Sequence, residues 1–273
     1  VKISGTLGFL GYGNMGGAIL DGLLHAGTVE VSQVLVYDPD EARSELARER
    51  GTTLMSAPEL LAAQSDTLVL AVKPQIMGEA LHEIRPGFTD NTGVISIAAG
   101  ITIDFIRKHL GEAARVVRAM PNTPALVHYG MTGLAAGPNA TGDDLRTARI
   151  LFEAVGKVEI VTEPELDAVT AVSGSGPAYV FYLVESMVAA GMAEGLEREV
   201  ALRLAVQTLG GAARLLSESA DSPEALRGRV TSKGGTTAAA IAVFDSNGLD
   251  RILQDGVSAA ARRARELAEE LDE

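Results

Sequence analysis

The sequence predicts an α/β amino-terminal domain with a predominantly parallel sheet, followed by an all-α carboxyl-terminal domain. Three observations carry this. Short apolar runs that read as buried strands alternate with helical segments as far as Val161. A glycine pattern, Gly11-x-Gly13-x-x-Gly16, joins the first strand to the first helix. After Thr162-Glu163-Pro164 the strand pattern stops and long Ala-rich helical segments take over, which sets the expected domains at 1–163 and 164–273.

Thr6 to Leu10 is apolar enough for a buried parallel strand, and beyond the glycines Ile19, Leu20, Leu23 and Leu24 recur at helical spacing. Strand, glycine turn and helix in this order make a Rossmann-type dinucleotide-binding unit. Gly11 permits the tight turn, Gly13 lets the backbone approach a pyrophosphate, and Gly16 lets the helix lie on the strand. Asn14 and Met15 share this phosphate site, where backbone N–H groups and the helix dipole favour an anion. The next strand, Val34-Leu35-Val36-Tyr37, ends in Asp38, about twenty residues past the motif, where a carboxylate meets an adenosine ribose.

A helical segment from Asp40 to Arg50, a weak strand at Thr53 and Leu54 and a short helix from Pro58 lead to the strand Asp66–Val72. Pro74 cannot extend a ladder, so Val72, Lys73 and Pro74 fall at the carboxyl edge of the sheet, where open α/β folds bind ligands. Lys73 is a candidate for cofactor phosphate or ribose, or is a solvated loop lysine. There follow a helix over Met77–Ile84, the strand Gly93–Ile97, the turn Ala98-Ala99-Gly100, a helix over Asp104–Leu110, and the strand Arg115–Arg118. That strand runs into Met120-Pro121-Asn122-Thr123-Pro124, whose two prolines fix a loop suited to a nicotinamide or substrate rim, or to a plain turn. Met131–Ala136, a helix over Asp143–Val155 and Lys157–Val161 complete this half.

In the second half, Pro177 sits in the first turn of a helix that continues through Phe181, Val184, Met187 and Val188. A second helix covers Glu197 to Ser217 and a short one starts at Pro223. Ser232-Lys233-Gly234-Gly235-Thr236-Thr237 then opens another. A glycine turn at a helix start exposes N–H donors, which makes either a carboxylate site or a turn capped by its own hydroxyls. After Gly248 comes a last amphipathic, charge-laced helix.

Composition narrows the chemistry. The 273 residues contain no cysteine, which excludes disulfides, thiol catalysis and thiolate metal sites, and the four histidines show no paired spacing, so no metal is expected. A formal charge of −13 opposes nucleic acid and anionic membrane surfaces. With no apolar run long enough for a span and no charged-then-apolar leader, the expected setting is cytoplasmic.

Taken together, Gly8-Phe9-Leu10-Gly11-x-Gly13-Asn14-Met15-Gly16, Val72-Lys73-Pro74, Ser96-Ile97-Ala98-Ala99-Gly100, Met120-Pro121-Asn122-Thr123-Pro124, Ser173-Gly174-Ser175-Gly176-Pro177-Ala178-Tyr179 and Ser232-Lys233-Gly234-Gly235-Thr236-Thr237 resemble the pyrroline-5-carboxylate reductases over nearly the whole length. The last three motifs are the specific ones. The resemblance implies hydride transfer from NADPH or NADH to the C=N bond of a cyclic imino acid, Δ1-pyrroline-5-carboxylate, giving L-proline in the last step of proline biosynthesis. It implies a nicotinamide placed between the two domains, with Ala98 and Asn122 among the cofactor residues. The backbone amides of Gly234, Gly235 and Thr236, with Ser232 and Lys233 nearby, would hold the substrate carboxylate, and Thr237 would bond the ring nitrogen as the catalytic residue. Homodimers through the helical domain, assembled further into decamers, are implied as well.

An imine is basic enough to take its proton from water or on binding, so the shortage of candidate acids suits this chemistry better than ketone reduction. Two residues depart from the family pattern: Lys233 replaces the usual proline, and Asp38 opposes a 2′-phosphate, with Arg43 near enough to offset it. Cofactor preference is therefore open. The alternatives are a reductase of another cyclic imine, a β-hydroxyacid dehydrogenase and a catalytically inactive cofactor-binding sensor. The second relies on a helix lysine, which Pro177–Met192 lacks, and the intact Gly234–Thr237 stretch argues against the third.

Overall fold

The computed structural model describes residues 2–272. In chain order the elements are β1 (Leu7–Leu10), α1 (Asn14–His25), β2 (Val34–Tyr37), α2 (Glu41–Glu49), β3 (Thr53–Leu54), α3 (Pro58–Gln64), β4 (Thr67–Leu70), α4 (Met77–Ile84), β5 (Gly93–Ser96) and α5 (Ile103–Leu110). They continue with β6 (Arg115–Met120), β7 (Gly130–Ala136), α6 (Gly142–Glu153), β8 (Gly156–Ile160), α7 (Leu166–Val169), α8 (Gly176–Ala193), α9 (Arg198–Glu218), α10 (Pro223–Arg229), α11 (Thr236–Ser246) and α12 (Leu249–Asp272). A π-helical turn, Thr170–Gly174, stands between α7 and α8.

The eight strands form one sheet in the order β3-β2-β1-β4-β5-β6-β7-β8. Every pair is parallel except β6 with β7, which run antiparallel because β7 returns directly along its neighbour. Alternation along each strand divides the core between the two faces of the sheet. Phe9, Val36, Val69, Ile95 and Val117 pack with Ile19, Leu23 and Phe152 on one face, and Leu10, Leu35, Leu68, Val94 and Val116 pack with Leu61, Leu81 and Ile106 on the other. Strands apolar on both faces are what a parallel sheet covered by helices requires.

By its contacts the chain divides into two compact units, residues 1–175 with 260–273, and residues 176–259. The first unit extends past Pro164 because Leu166 is fully buried and α7 lies on β7 against Gly133. The last turns of α12 also belong to it: Leu271 is half-buried against the core cluster built on α3, α4 and α5, and lies against Gly100. In the second unit α8 and α9 pack together through Val188, Ala201 and Ala205, and α10 and α11 follow.

Candidate active site

Gly11 follows β1 with φ of 93°, and its N–H bonds the Tyr37 carbonyl at 2.8 Å. A side chain there would be strained, and its Cβ would come within 2.9 Å of the Ala71 carbonyl. The chain turns directly into α1, whose amino terminus at Gly13 has no side-chain cap. The first-turn N–H groups are left for a ligand, and the helix dipole favours an anion there.

These donors open onto a cleft of about 670 Å³ at the carboxyl edge of the sheet. Ten of the residues that the sequence assigns to the cofactor line it: Gly11, Gly13, Asn14, Met15, Gly16, Asp38, Val72, Lys73, Pro74 and Ala98. Arg43, Ile97 and Ala99, which sequence reasoning named without assigning them to the cofactor, line it too, and Pro39, Asp40, Ala71 and Ile76, which it did not single out, complete the wall. Each of these four lies within two positions of an assigned residue after a strand, and that position was the available signal.

At the β2 end of the cleft the Asp38 side chain is 5% exposed. Its Oδ2 accepts the Tyr12 N–H at 2.7 Å and its Oδ1 accepts the Asp40 N–H at 2.9 Å. The carboxylate is thus fixed by two backbone donors and keeps lone pairs for a ribose hydroxyl. The Arg43 guanidinium stands 3.9 Å from Asp38 and 3.7 Å from Asp40, too far for hydrogen bonds, so this corner carries two carboxylates against one loosely held cation.

Asn122 is the expected cofactor residue that the cleft does not include. Its carboxamide is engaged within the protein: Oδ1 accepts the Met131 N–H at 2.9 Å, and Nδ2 donates to the Ser173 carbonyl at 3.1 Å and to Ser173 Oγ at 3.2 Å.

In the second unit, Ser232 to Thr237 form one tight turn into α11. The Gly235 N–H closes it on the Ser232 carbonyl at 3.0 Å, so this amide, one of three expected to face a carboxylate, is already committed. Gly234 has φ of 71°, a conformation that favours glycine, and a Cβ on Gly235 would fall 2.5 Å from Ser232 Oγ and displace that hydroxyl. Gly235 is the N-cap of α11 and no side chain caps the helix, which leaves the amides of Thr236 and Thr237 in an open first turn. Lys233 and Thr236 are exposed and Thr237 is half-buried.

A glycine-turned parallel sheet with this cleft, joined to a helical unit with an uncapped helix start, defines a nicotinamide-dependent oxidoreductase. Comparison with known proteins narrows the class. The family model for pyrroline-5-carboxylate reductase dimerisation matches residues 163–267, and that for NADP oxidoreductase, coenzyme F420-dependent, matches residues 6–100. The pyrroline-5-carboxylate reductase of Pseudomonas aeruginosa is 41% identical over 267 residues, 97% of each chain, and that of Escherichia coli is 36% identical over 263 residues, 96% of this chain and 98% of the other. Among solved structures, the pyrroline-5-carboxylate reductase of Coxiella burnetii is 37% identical with a TM-score of 0.92, covering 97% of this chain and 99% of that one. The Plasmodium falciparum enzyme, solved with NADP bound, is 30% identical with a TM-score of 0.87, covering 98% and 100%. The chain belongs to the pyrroline-5-carboxylate reductase family.

Proposed function

We infer that the chain reduces Δ1-pyrroline-5-carboxylate to L-proline with NAD(P)H, and that residues 232–237 supply the substrate site. The cleft carries this reading: a single wall joins an acceptor for ribose, an uncapped helix amino terminus for pyrophosphate and the turn at Ala98 for the nicotinamide end. When bound, the dinucleotide supplies a hydride to the imine carbon. The chain's own residues bind, orient and hold a proton. The Thr236 and Thr237 amides hold the carboxylate, with Ser232 and Lys233 beside them, and the Thr237 hydroxyl bonds the ring nitrogen.

Dimerisation fits the second unit's surface. Phe181 and Tyr182 are 62% and 72% exposed, and Val243 and Ile252 are open as well. Apolar faces of this extent ask for a second copy. Residues 164–273 then serve substrate binding and pairing, and the homodimer assembles further into a decamer. No helix among the described residues is long and apolar enough to cross a membrane. We place the enzyme in the cytoplasm, with a net charge of −13 keeping it from nucleic acid and anionic lipid.

The test is oxidation of NADH and NADPH by the purified protein with pyrroline-5-carboxylate and with another cyclic imine, and reduction of NAD(P)+ with a β-hydroxyacid. Turnover of the first substrate alone is expected. Cofactor binding without turnover of any of them would make the chain a sensor. Light scattering reads the assembly.

A further inference from the structure

Asn122 and Ser173 come from two of the specific motifs, and neither lines the cofactor cleft. The orientation of the Asn122 carboxamide is fixed by its partners: the Met131 N–H can only donate, at 2.9 Å, and the Ser173 carbonyl can only accept, at 3.1 Å. Nδ2 also reaches Ser173 Oγ at 3.2 Å. An amide nitrogen offers no lone pair, so Oγ is the acceptor and its own hydrogen is directed elsewhere. A hydroxyl whose lone pair is engaged in this way is the stronger donor.

The position of this hydroxyl matters. Ser96 of β5 is level with Arg118 of β6, so the loop that leaves β5 through Ala98, in the cleft wall, starts beside the last residues of β6. Neighbouring strands lie ~4.8 Å apart. Met120 in turn touches the serine's turn, since a Cβ built on Gly174 would meet its Cε at 2.9 Å. Ser173 therefore stands at the carboxyl edge of β6, one strand beyond Ala98. With the ribose end at Asp38 on β2 and the phosphates at Gly11–Gly16 after β1, the nicotinamide end extends over β4 and β5 toward this edge. The serine lies in the π-helical turn Thr170–Gly174, an interruption of helix geometry of the kind found at functional sites.

We propose that the Ser173 hydroxyl donates a hydrogen bond to the carboxamide oxygen of the bound nicotinamide, and that Asn122 is a positioning residue acting through Ser173. Of the acceptors at this end, a protonated imine nitrogen has no lone pair and the substrate carboxylate belongs to the 232–237 turn, which leaves the carboxamide. The proposal rests on the cofactor reading above.

Calorimetric titration of the full chain with NADH and with ADP-ribose, which lacks the nicotinamide, tests it. Ser173→Ala weakens NADH by about 5- to 20-fold and ADP-ribose by less than about 2-fold, the loss of one hydrogen bond at one end of the ligand. Ser173→Thr keeps NADH affinity. Asn122→Ala reproduces Ser173→Ala, and the double variant is no weaker than Ser173→Ala alone. Equal losses for both ligands, additive losses in the double variant, or unchanged NADH affinity in Ser173→Ala would overturn the proposal while the cofactor reading stands. Failure of the unsubstituted protein to bind either ligand would overturn the cofactor reading itself, and this proposal with it.

Discussion

Asp38 Oδ2 accepts the Tyr12 N–H at 2.7 Å, so the residue that closes β2 also holds the turn between β1 and α1. The carboxylate cannot swing out of its place at the cleft without releasing that bond. Asp38→Ser is expected to raise the NADPH to NADH ratio of kcat/KM by about 10-fold, and Arg43→Ala to move it the other way. Steady-state kinetics with both cofactors read the ratio. An unmoved ratio in both variants would place the ribose elsewhere.

Thr237 is half-buried in the uncapped first turn of α11, where its side chain caps nothing. Thr237→Ala is therefore expected to leave the circular dichroism spectrum unchanged and to lower kcat/KM by roughly 10- to 1000-fold, the loss of one transition-state hydrogen bond. Thr237→Ser should recover most of it. Unchanged kinetics in the alanine variant would remove Thr237 from the mechanism.

The Tyr12 hydroxyl is buried without a hydrogen-bond partner among the described residues, and burial pushes its pKa from 10.0 up to about 12 despite Arg50 nearby. A raised pKa means that the folded state holds the proton more tightly than the unfolded chain. The contribution is present below the unfolded value, and it is lost as pH rises from about 10 to about 12. Tyr12→Phe should flatten that part of the stability profile. At neutral pH it should leave stability unchanged or raise it by up to about 1 kcal/mol, because an unsatisfied polar group is removed and the ring remains. Denaturant titrations across pH check both statements.

Glu163 joins three elements. Its Oε1 accepts the Ile103 N–H at 2.7 Å at the start of α5 and pairs at 3.2 Å with Arg118 of β6, whose side chain is only 7% exposed. Glu163→Ala strands that cation and is expected to cost about 2–4 kcal/mol, whereas Glu163→Gln, which keeps an acceptor, should cost less. Urea midpoints give the comparison. Equal losses would show that the charge carries the whole effect and the retained acceptor none of it.

β1, β2, β4, β5 and β6 were legible because each is a largely apolar run with a glycine or a proline within a few residues of its end, and the cleft was legible because Gly11, Asp38 and Lys73 each follow such a run. Relations between distant residues were not. Nothing in the spacing says that Asn122 is tied to Ser173, since an amide looks equally fit for a ligand or a neighbour. The commitment of the Gly235 N–H follows from the φ of Gly234, which a Gly-Gly pair permits without requiring. Glu163 reads as a polar residue before a boundary proline, and its role as the cap of a helix sixty positions earlier depends on where the sheet brings it. The end of α12 is amphipathic in sequence, which announces a buried stripe but not its partner.

That partner gives the far end of the chain an unexpected reach. Leu267 and Leu271 rest on Gly100, two positions from a residue of the cofactor wall. Anyone trimming the protein backwards from its tail would strip the brace from the Ala98 loop within the first two turns removed. Shortened forms would then loosen their grip on nucleotide although every glycine of the phosphate turn is still in place.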